Sequence, residues 1–230
     1  MINGKVVFIR HGFSEWNSLG IWTGWEDPGL VPQGEKGALE AGSWAQRAGL
    51  VPSIIYESDL TRAVRTTDGF LDGFGLTGVK RVQAMELRER DYGGLTGMNK
   101  WEVKEKVGEE QFNKYRRSPF ERPPQGDKYK GESLADCRER SYSYFQKNIL
   151  PRAVGGETVL VSAHGNSIRA ILWAWEKIAD DAIAEVEVPW TIPLVYEINN
   201  AGKILKSYAV TANGAQSVDG SWRKVVFPKQ

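Results

Sequence analysis

Only two histidines occur in this chain, His11 and His164, and both stand in the same local setting. Each follows an apolar run that reads as a buried strand: Lys5-Val6-Val7-Phe8-Ile9-Arg10 before His11, and Thr158-Val159-Leu160-Val161-Ser162-Ala163 before His164. Glycine follows at once in both cases, as Gly12 and Gly165. α/β sheets place their ligand crevices at strand ends of this kind. Two imidazoles delivered to one crevice from opposite ends of a sequence point to chemistry on a shared atom. A neutral imidazole is a competent nucleophile that forms covalent intermediates. For that, one ring nitrogen must face the electrophile while a hydrogen bond to the other fixes the tautomer. Arg10 adds a planar fork of donors suited to phosphate oxygens. Taken alone, Arg10-His11-Gly12 reads more readily as a half-buried histidine closing a strand beside an exposed arginine.

Other residues shift that balance. Arg62 falls in the first turn of a helix that Ser58 is expected to cap, where the helix dipole disfavours a cation unless an anion is bound there. The other reading is a surface arginine paired with Asp59 or Asp68. Small residues in Gly165-Asn166-Ser167 allow close backbone approach, and Ser167 is expected to cap the following helix and aim its free N–H groups at the crevice. Glu89 lies in the charged run Glu86–Asp91, either as a general acid and base or as part of a solvated face. Lys100, Arg116 and Arg117 either grip an anionic substrate or are simply wet.

Strand-like and helix-like segments alternate along the chain. Apolar residues recur at helical spacing through 34–48, 58–74, 133–149 and 167–178, with Pro151 expected to stop the third. Short strands are expected at 54–56, 80–84 and 158–163, with two antiparallel ones at 194–198 and 204–210. Polar helices at 99–107 and 109–117 break at Gly108, and 118–131 is a surface loop rich in proline, glycine and charge. The pattern predicts one α/β domain over residues 1–230, a three-layer arrangement with a mostly parallel sheet flanked by helices. A net charge of +1 over 230 residues gives no electrostatic case for nucleic acid or an anionic membrane. The single cysteine, Cys137, sits in a helical apolar pattern and reads as a packed thiol in a reducing, cytoplasmic setting. Two histidines and one cysteine leave little material for a transition-metal site.

With these residues assembled, the chain resembles the cofactor-dependent phosphoglycerate mutases of the histidine phosphatase superfamily. The resemblance runs from Lys5 to about Tyr208. It rests on Arg10-His11-Gly12 with Ser14, Trp16 and Asn17; Thr23-Gly24-Trp25; Ser58, Leu60, Arg62, Ala63 and Thr66; and Glu89, Tyr92-Gly93, Gly97 and Asn99-Lys100. It continues through Tyr115-Arg116-Arg117, Glu132-Ser133-Leu134, Ala163-His164-Gly165-Asn166-Ser167 with Arg169, and Pro193-Leu194-Val195-Tyr196-Glu197. The Arg-His-Gly box is common to the superfamily, whereas the Thr-Gly-Trp, Tyr-Gly-to-Asn-Lys and Tyr-Arg-Arg segments are specific to the mutases.

The resemblance implies a phosphoglycerate mutase-like fold and a role for each residue. His11 carries a phosphoryl group. Arg10, Arg62, Asn17 and His164 hold the transferring oxygens, and Glu89 shuttles the proton. Ser14, Thr23, Gly24, Tyr92, Lys100, Arg116, Arg117, Gly165 and Asn166 line the substrate site. It further implies interconversion of 3- and 2-phosphoglycerate, 2,3-bisphosphoglycerate as primer and intermediate, no metal, phosphoglycerates as the partners, and leaves room for a homo-oligomer. A phosphohistidine-dependent phosphomonoesterase and a non-catalytic phospholigand-binding protein are the alternatives. The chain departs from the family pattern at Phe13 (Glu or Gln), Arg88 (Asn), Asp91 (His) and Trp190-Thr191 (Thr-Gly). Asp91 is expected to repel Glu89. The segment 211–230 reads as a tail, either a lid or a docked strand at Ser221–Phe227.

Overall fold

A computed structural model describes residues 3–217. The strands are β1 (Gly4–Arg10), β2 (Ile54–Glu57), β3 (Lys80–Gln83), β4 (Thr158–Ala163), β5 (Leu194–Ile198), β6 (Ile204–Thr211) and β7 (Gly214–Ser217). The helices are α1 (Glu15–Ser18), α2 (Pro32–Arg47), α3 (Thr61–Phe74), α4 (Lys100–Arg117), α5 (Leu134–Tyr144), α6 (Leu150–Val154) and α7 (Gly165–Trp175). Among the described residues, seven strands make one sheet in the order β3-β2-β4-β1-β5-β6-β7. The α/β class is as expected, but the sheet is mixed. β3, β2, β4 and β1 run parallel, and β5, β6 and β7 are added antiparallel. Of the C-terminal tail, Gly214–Ser217 pairs with β6 as the sheet edge, and Ser221–Phe227 lies outside the described residues.

β1 and β4 are almost wholly buried, which explains their near-continuous apolar sequence. Alternation along them feeds two helical layers. Phe8 meets the rings of Phe145 and Trp175 at centroid distances of 5.9 and 6.3 Å. Ser162, one register step beyond the partner of Phe8, donates its hydroxyl to the Ala63 carbonyl of α3. α2 and α3 cross at backbone contact through glycines: a Cβ on Gly42 would lie 2.0 Å from the Phe70 carbonyl oxygen.

Three local expectations are revised. Ser58 is not the cap of α3. Leu60 is the N-cap and has no side-chain cap bond, while the Ser58 hydroxyl accepts from the Leu60 N–H. Ser167 is not a cap either: His164 is the N-cap of α7, and the Ser167 hydroxyl accepts the His164 N–H at 3.1 Å. Pro151 does not stop its helix. A π-helical turn at Phe145–Ile149 precedes it, and Pro151 then sits in the first turn of α6, where a missing N–H costs nothing. The polar helices at 99–107 and 109–117 do break at Gly108, as expected: its φ of 78° and ψ of 164° are not helical, so α4 is two helical segments joined there.

Ser133 does cap α5, in a reciprocal box with Asp136. Cys137 is fully buried, and burial pushes its thiol up to about 12, so it is an inert packing group. No helix among the described residues is long and apolar enough to cross a membrane. Ser133→Ala should remove about 1 kcal/mol of stability and lower the thermal midpoint by about 2–4 °C, read by circular dichroism.

Candidate active site

The parallel strands deliver the site. β1 and β4 pair through Arg10 and Ala163, and the His11 N–H donates to the Ala163 carbonyl at 2.9 Å. The next residues, His11 and His164, therefore emerge side by side, with ring centroids 5.0 Å apart. β2 lies on the other side of β4 and leads through Ser58 into α3, which carries Arg62. β3 leads through a short helical turn to Glu89. A ring nitrogen of each histidine and a carboxylate oxygen of Glu89 lie within 4.8 Å of one another.

Gly12 is required by a close approach: a Cβ there would sit 2.5 Å from the Gly34 carbonyl oxygen. The Gly12 N–H donates to the Thr66 hydroxyl at 2.8 Å, and the Gly12 carbonyl lies 2.7 Å from His11 Nδ1. A carbonyl can only accept, so Nδ1 holds the proton and Nε2 keeps its lone pair. Burial comes first among the effects that hold His11 well below the ordinary imidazole range, followed by the charges of Arg62 and Arg10. His164 is fully buried and pushed the same way, again by burial first and Arg62 next. Both rings are neutral at physiological pH.

Arg62 is 1% exposed and pairs with neither Asp59 nor Asp68, which bind Arg88 and Arg81. Its Nη1 and Nη2 donate to the carbonyls of Glu26 and Gly24 at 2.8 and 2.9 Å. Desolvation lowers it to about 10, so it stays a cation. Glu89 Oε1 accepts the N–H groups of Arg90 and Asn166 at 2.8 and 3.1 Å. Asp91, two residues beyond Glu89, is held by backbone donors. Its two oxygens accept from the Gly93 and Gly131 N–H groups, which staples the loop 118–131 to the site.

A cavity of about 300 Å³ opens over these groups, at the small end of ligand sites. Arg10, His11, Asn17, Thr23, Arg62, Glu89, Tyr92, Lys100, Arg116, Arg117, Gly165 and Asn166 line it. Ser14 and Gly24 lie behind its wall. The Ser14 hydroxyl donates to Asn17 Oδ1 at 2.9 Å, and Gly24 holds Arg62. His164 likewise lies behind, against His11.

Arg169 and Trp190, noted in the sequence but given no place in the site, and Glu187, not singled out at all, also stand on the cavity wall. Arg169 donates to Asn166 Oδ1 at 2.7 Å, and Asn166 Nδ2 donates to the Tyr92 hydroxyl at 2.8 Å. Spacing of three residues from Asn166 on a helix was the available signal. Glu187 pairs with Arg117 across the rim. Lys100, half-buried near Arg116 and Arg10, is lowered to about 8, chiefly by desolvation.

The donor types of His11, Glu89 and His164 suit a cation. Their setting suits an anion. Arg62 and Arg10 bear on both imidazoles, and Arg10 Nε, Arg62 Nε and both His164 ring nitrogens are buried without a hydrogen-bond partner among the described residues. Guanidinium N–H groups of this kind are suited to an oxyanion.

The chain belongs to the histidine phosphatase superfamily, branch 1, whose family model matches residues 6–211. Within it, the chain is related to proteins named 2,3-bisphosphoglycerate-dependent phosphoglycerate mutase. One, from Corynebacterium diphtheriae, is 41% identical over 223 residues, covering 89% of this chain and 90% of that protein. Another, from Parvibaculum lavamentivorans, is 41% identical over 201 residues, covering 87% and 93%. Among solved structures, Bacillus stearothermophilus YhfR shares the fold at a TM-score of 0.74 and 23% identity, covering 92% of this chain and 98% of that one. A mycobacterial glucosyl-3-phosphoglycerate phosphatase does so at 0.73 and 20%, covering 90% and 97%.

Because the folded state holds both imidazoles neutral, the unfolded chain binds more protons just below pH 6.5. Stability should therefore be full above about pH 6.5 and fall as pH drops below it. Replacing His11 and His164 together by asparagine should flatten the urea midpoint between about pH 6.5 and 5 relative to the parent protein.

Proposed function

We propose that this protein interconverts 3-phosphoglycerate and 2-phosphoglycerate through a phosphohistidine on His11. The observation that carries this reading is the opposed imidazole pair, 5.0 Å between centroids, with the Glu89 carboxylate in reach of both rings. The 41% identical relatives named as mutases support it, and so do the basic groups at the cavity rim.

The lone pair on His11 Nε2 attacks phosphorus, forming the N–P bond as the bond to the leaving oxygen breaks. Charge spreading over the transferring oxygens meets Arg10, Arg62, Asn17 and His164, held in place before the reaction starts. The Glu89 oxygen not used by Arg90 and Asn166 gives the leaving oxygen its proton and takes one back from the attacking hydroxyl of the substrate. Lys100, Arg116, Arg117 and Tyr92 grip the carboxylate and the non-reacting phosphate. When bound, 2,3-bisphosphoglycerate supplies the phosphoryl group that primes His11, and it is also the species formed when that group passes to 3-phosphoglycerate. Water must be kept out, because a phosphoenzyme open to water is a phosphatase. We place the enzyme in the cytoplasm, in the glycolytic and gluconeogenic exchange of these two acids.

The deciding assay supplies 3-phosphoglycerate with and without 2,3-bisphosphoglycerate and follows both 2-phosphoglycerate and free phosphate. Isomerisation stimulated by the bisphosphate is expected; dominant phosphate release would reassign the protein as a hydrolase, and neither activity alongside binding would make it a binding protein. His11→Ala should lose transfer and the acid-labile phosphate label together. His164→Ala should lower kcat by about 10²–10³-fold. KM should rise as pH climbs through about 8, where free Lys100 loses its proton. Lys100→Arg should remove that limb from the pH profile.

A further inference from the structure

Phe13 and Trp190, far apart in the sequence, meet in space. Their rings lie edge to face, with centroids 5.0 Å apart at 79°. Trp190 lines the cavity, and the Arg10 guanidinium lies over its ring, 4.4 Å from the centroid. Arg10 has little room elsewhere. Its Nη1 donates to the Val188 carbonyl at 2.8 Å, and on another side a Cβ at Gly165 would lie 3.2 Å from its Cζ. Backbone bonds tie the same elements together: Arg10 and Trp190 form a parallel bridge, and the Thr191 N–H donates to the Arg10 carbonyl at 3.1 Å.

Thr191 adopts φ of +53°, a left-handed conformation that a β-branched residue rarely takes. A β-branched residue held in that conformation is over-determined by its surroundings. Here those surroundings are the Arg10–Trp190 contact and the Phe13 ring behind it.

We propose that Trp190, braced by Phe13, determines specificity in this site. Its indole holds Arg10 toward the transferring phosphoryl group, and its bulk narrows the cavity so that a small phosphorylated acid enters productively while larger phosphate monoesters do not. The size of the favoured acid rests on the mutase reading, but the filter itself does not.

Trp190→Thr, Trp190→Phe and Phe13→Gln test it. Three readouts are needed: kcat/KM for 3-phosphoglycerate isomerisation, kcat/KM for p-nitrophenyl phosphate hydrolysis, and calorimetric affinity for orthovanadate. Trp190→Thr should raise aryl phosphate hydrolysis by about 10-fold or more and weaken orthovanadate binding by a similar factor, within the range that pocket-shape changes produce. Trp190→Phe keeps a ring under Arg10 and should stay close to the parent protein. Phe13→Gln, which leaves the cavity wall in place, should shift both readouts the same way by less, and it serves as the test if Trp190→Thr does not fold. Aryl phosphate turnover and orthovanadate affinity unchanged in Trp190→Thr, or in Phe13→Gln where that variant must stand in, would overturn the proposal. A parent protein without isomerase activity but with the expected shifts would remove the mutase reading and leave the filter standing.

Discussion

The site depends on the parallel pairing of β1 with β4. Arg10 stands opposite Ala163, and the His11 amide closes the last rung of that ladder. A strand's side chains alternate between faces, so a slip of one residue would turn one imidazole away from the other. The register is secured by burial. Val6, Phe8, Ile9, Val159, Val161 and Ala163 are all at 0% exposure, and a slip would drive each into the wrong layer. The core that stabilises the domain is thus the same structure that sets the distance between the two rings.

Electrostatics then separates the uses of the charged groups. Arg81 binds Glu57 and Asp68, and Arg88 binds Asp59, as ordinary partly exposed ion pairs. Arg62 is buried with carbonyl partners, and its nearest carboxylate, on Asp27, lies 4.0 Å away. Desolvation opposes its charge, and that charge in turn opposes protonation of both imidazoles. The result is an electropositive pocket over buried, neutral imidazoles, a setting that favours an incoming anion and leaves an imidazole its lone pair.

Much of this was legible before the structure. The repeated strand-His-Gly setting located both imidazoles, and the β-α alternation located the sheet. What misled was capping chemistry. Ser58 and Ser167 look like N-caps because serine is favoured there, yet the helices start elsewhere. Strand ends one residue away are already committed to the ladder, as in the bond from the Ser58 N–H to the Ser162 carbonyl. Pro151 looked like a stop because a proline in a regular helix loses a bond. The π-helical turn before it absorbs the loss. Ser14 and Gly24 carry the family motif but serve the wall from behind, by fixing Asn17 and Arg62.

The chain's own order of residues determined which groups stand at the strand ends. A histidine, its flanking guanidinium and a strand end are contiguous in sequence, and contiguous features survive any fold that keeps the strand. Tertiary structure alone decided the rest: where Asp91 spends its carboxylate, and that Phe13 and Trp190 close together on Arg10. Those outcomes rest on contacts between segments far apart in the chain, up to the 178 residues that separate Arg10 from Val188. Such contacts depend on register and packing, which no local pattern encodes.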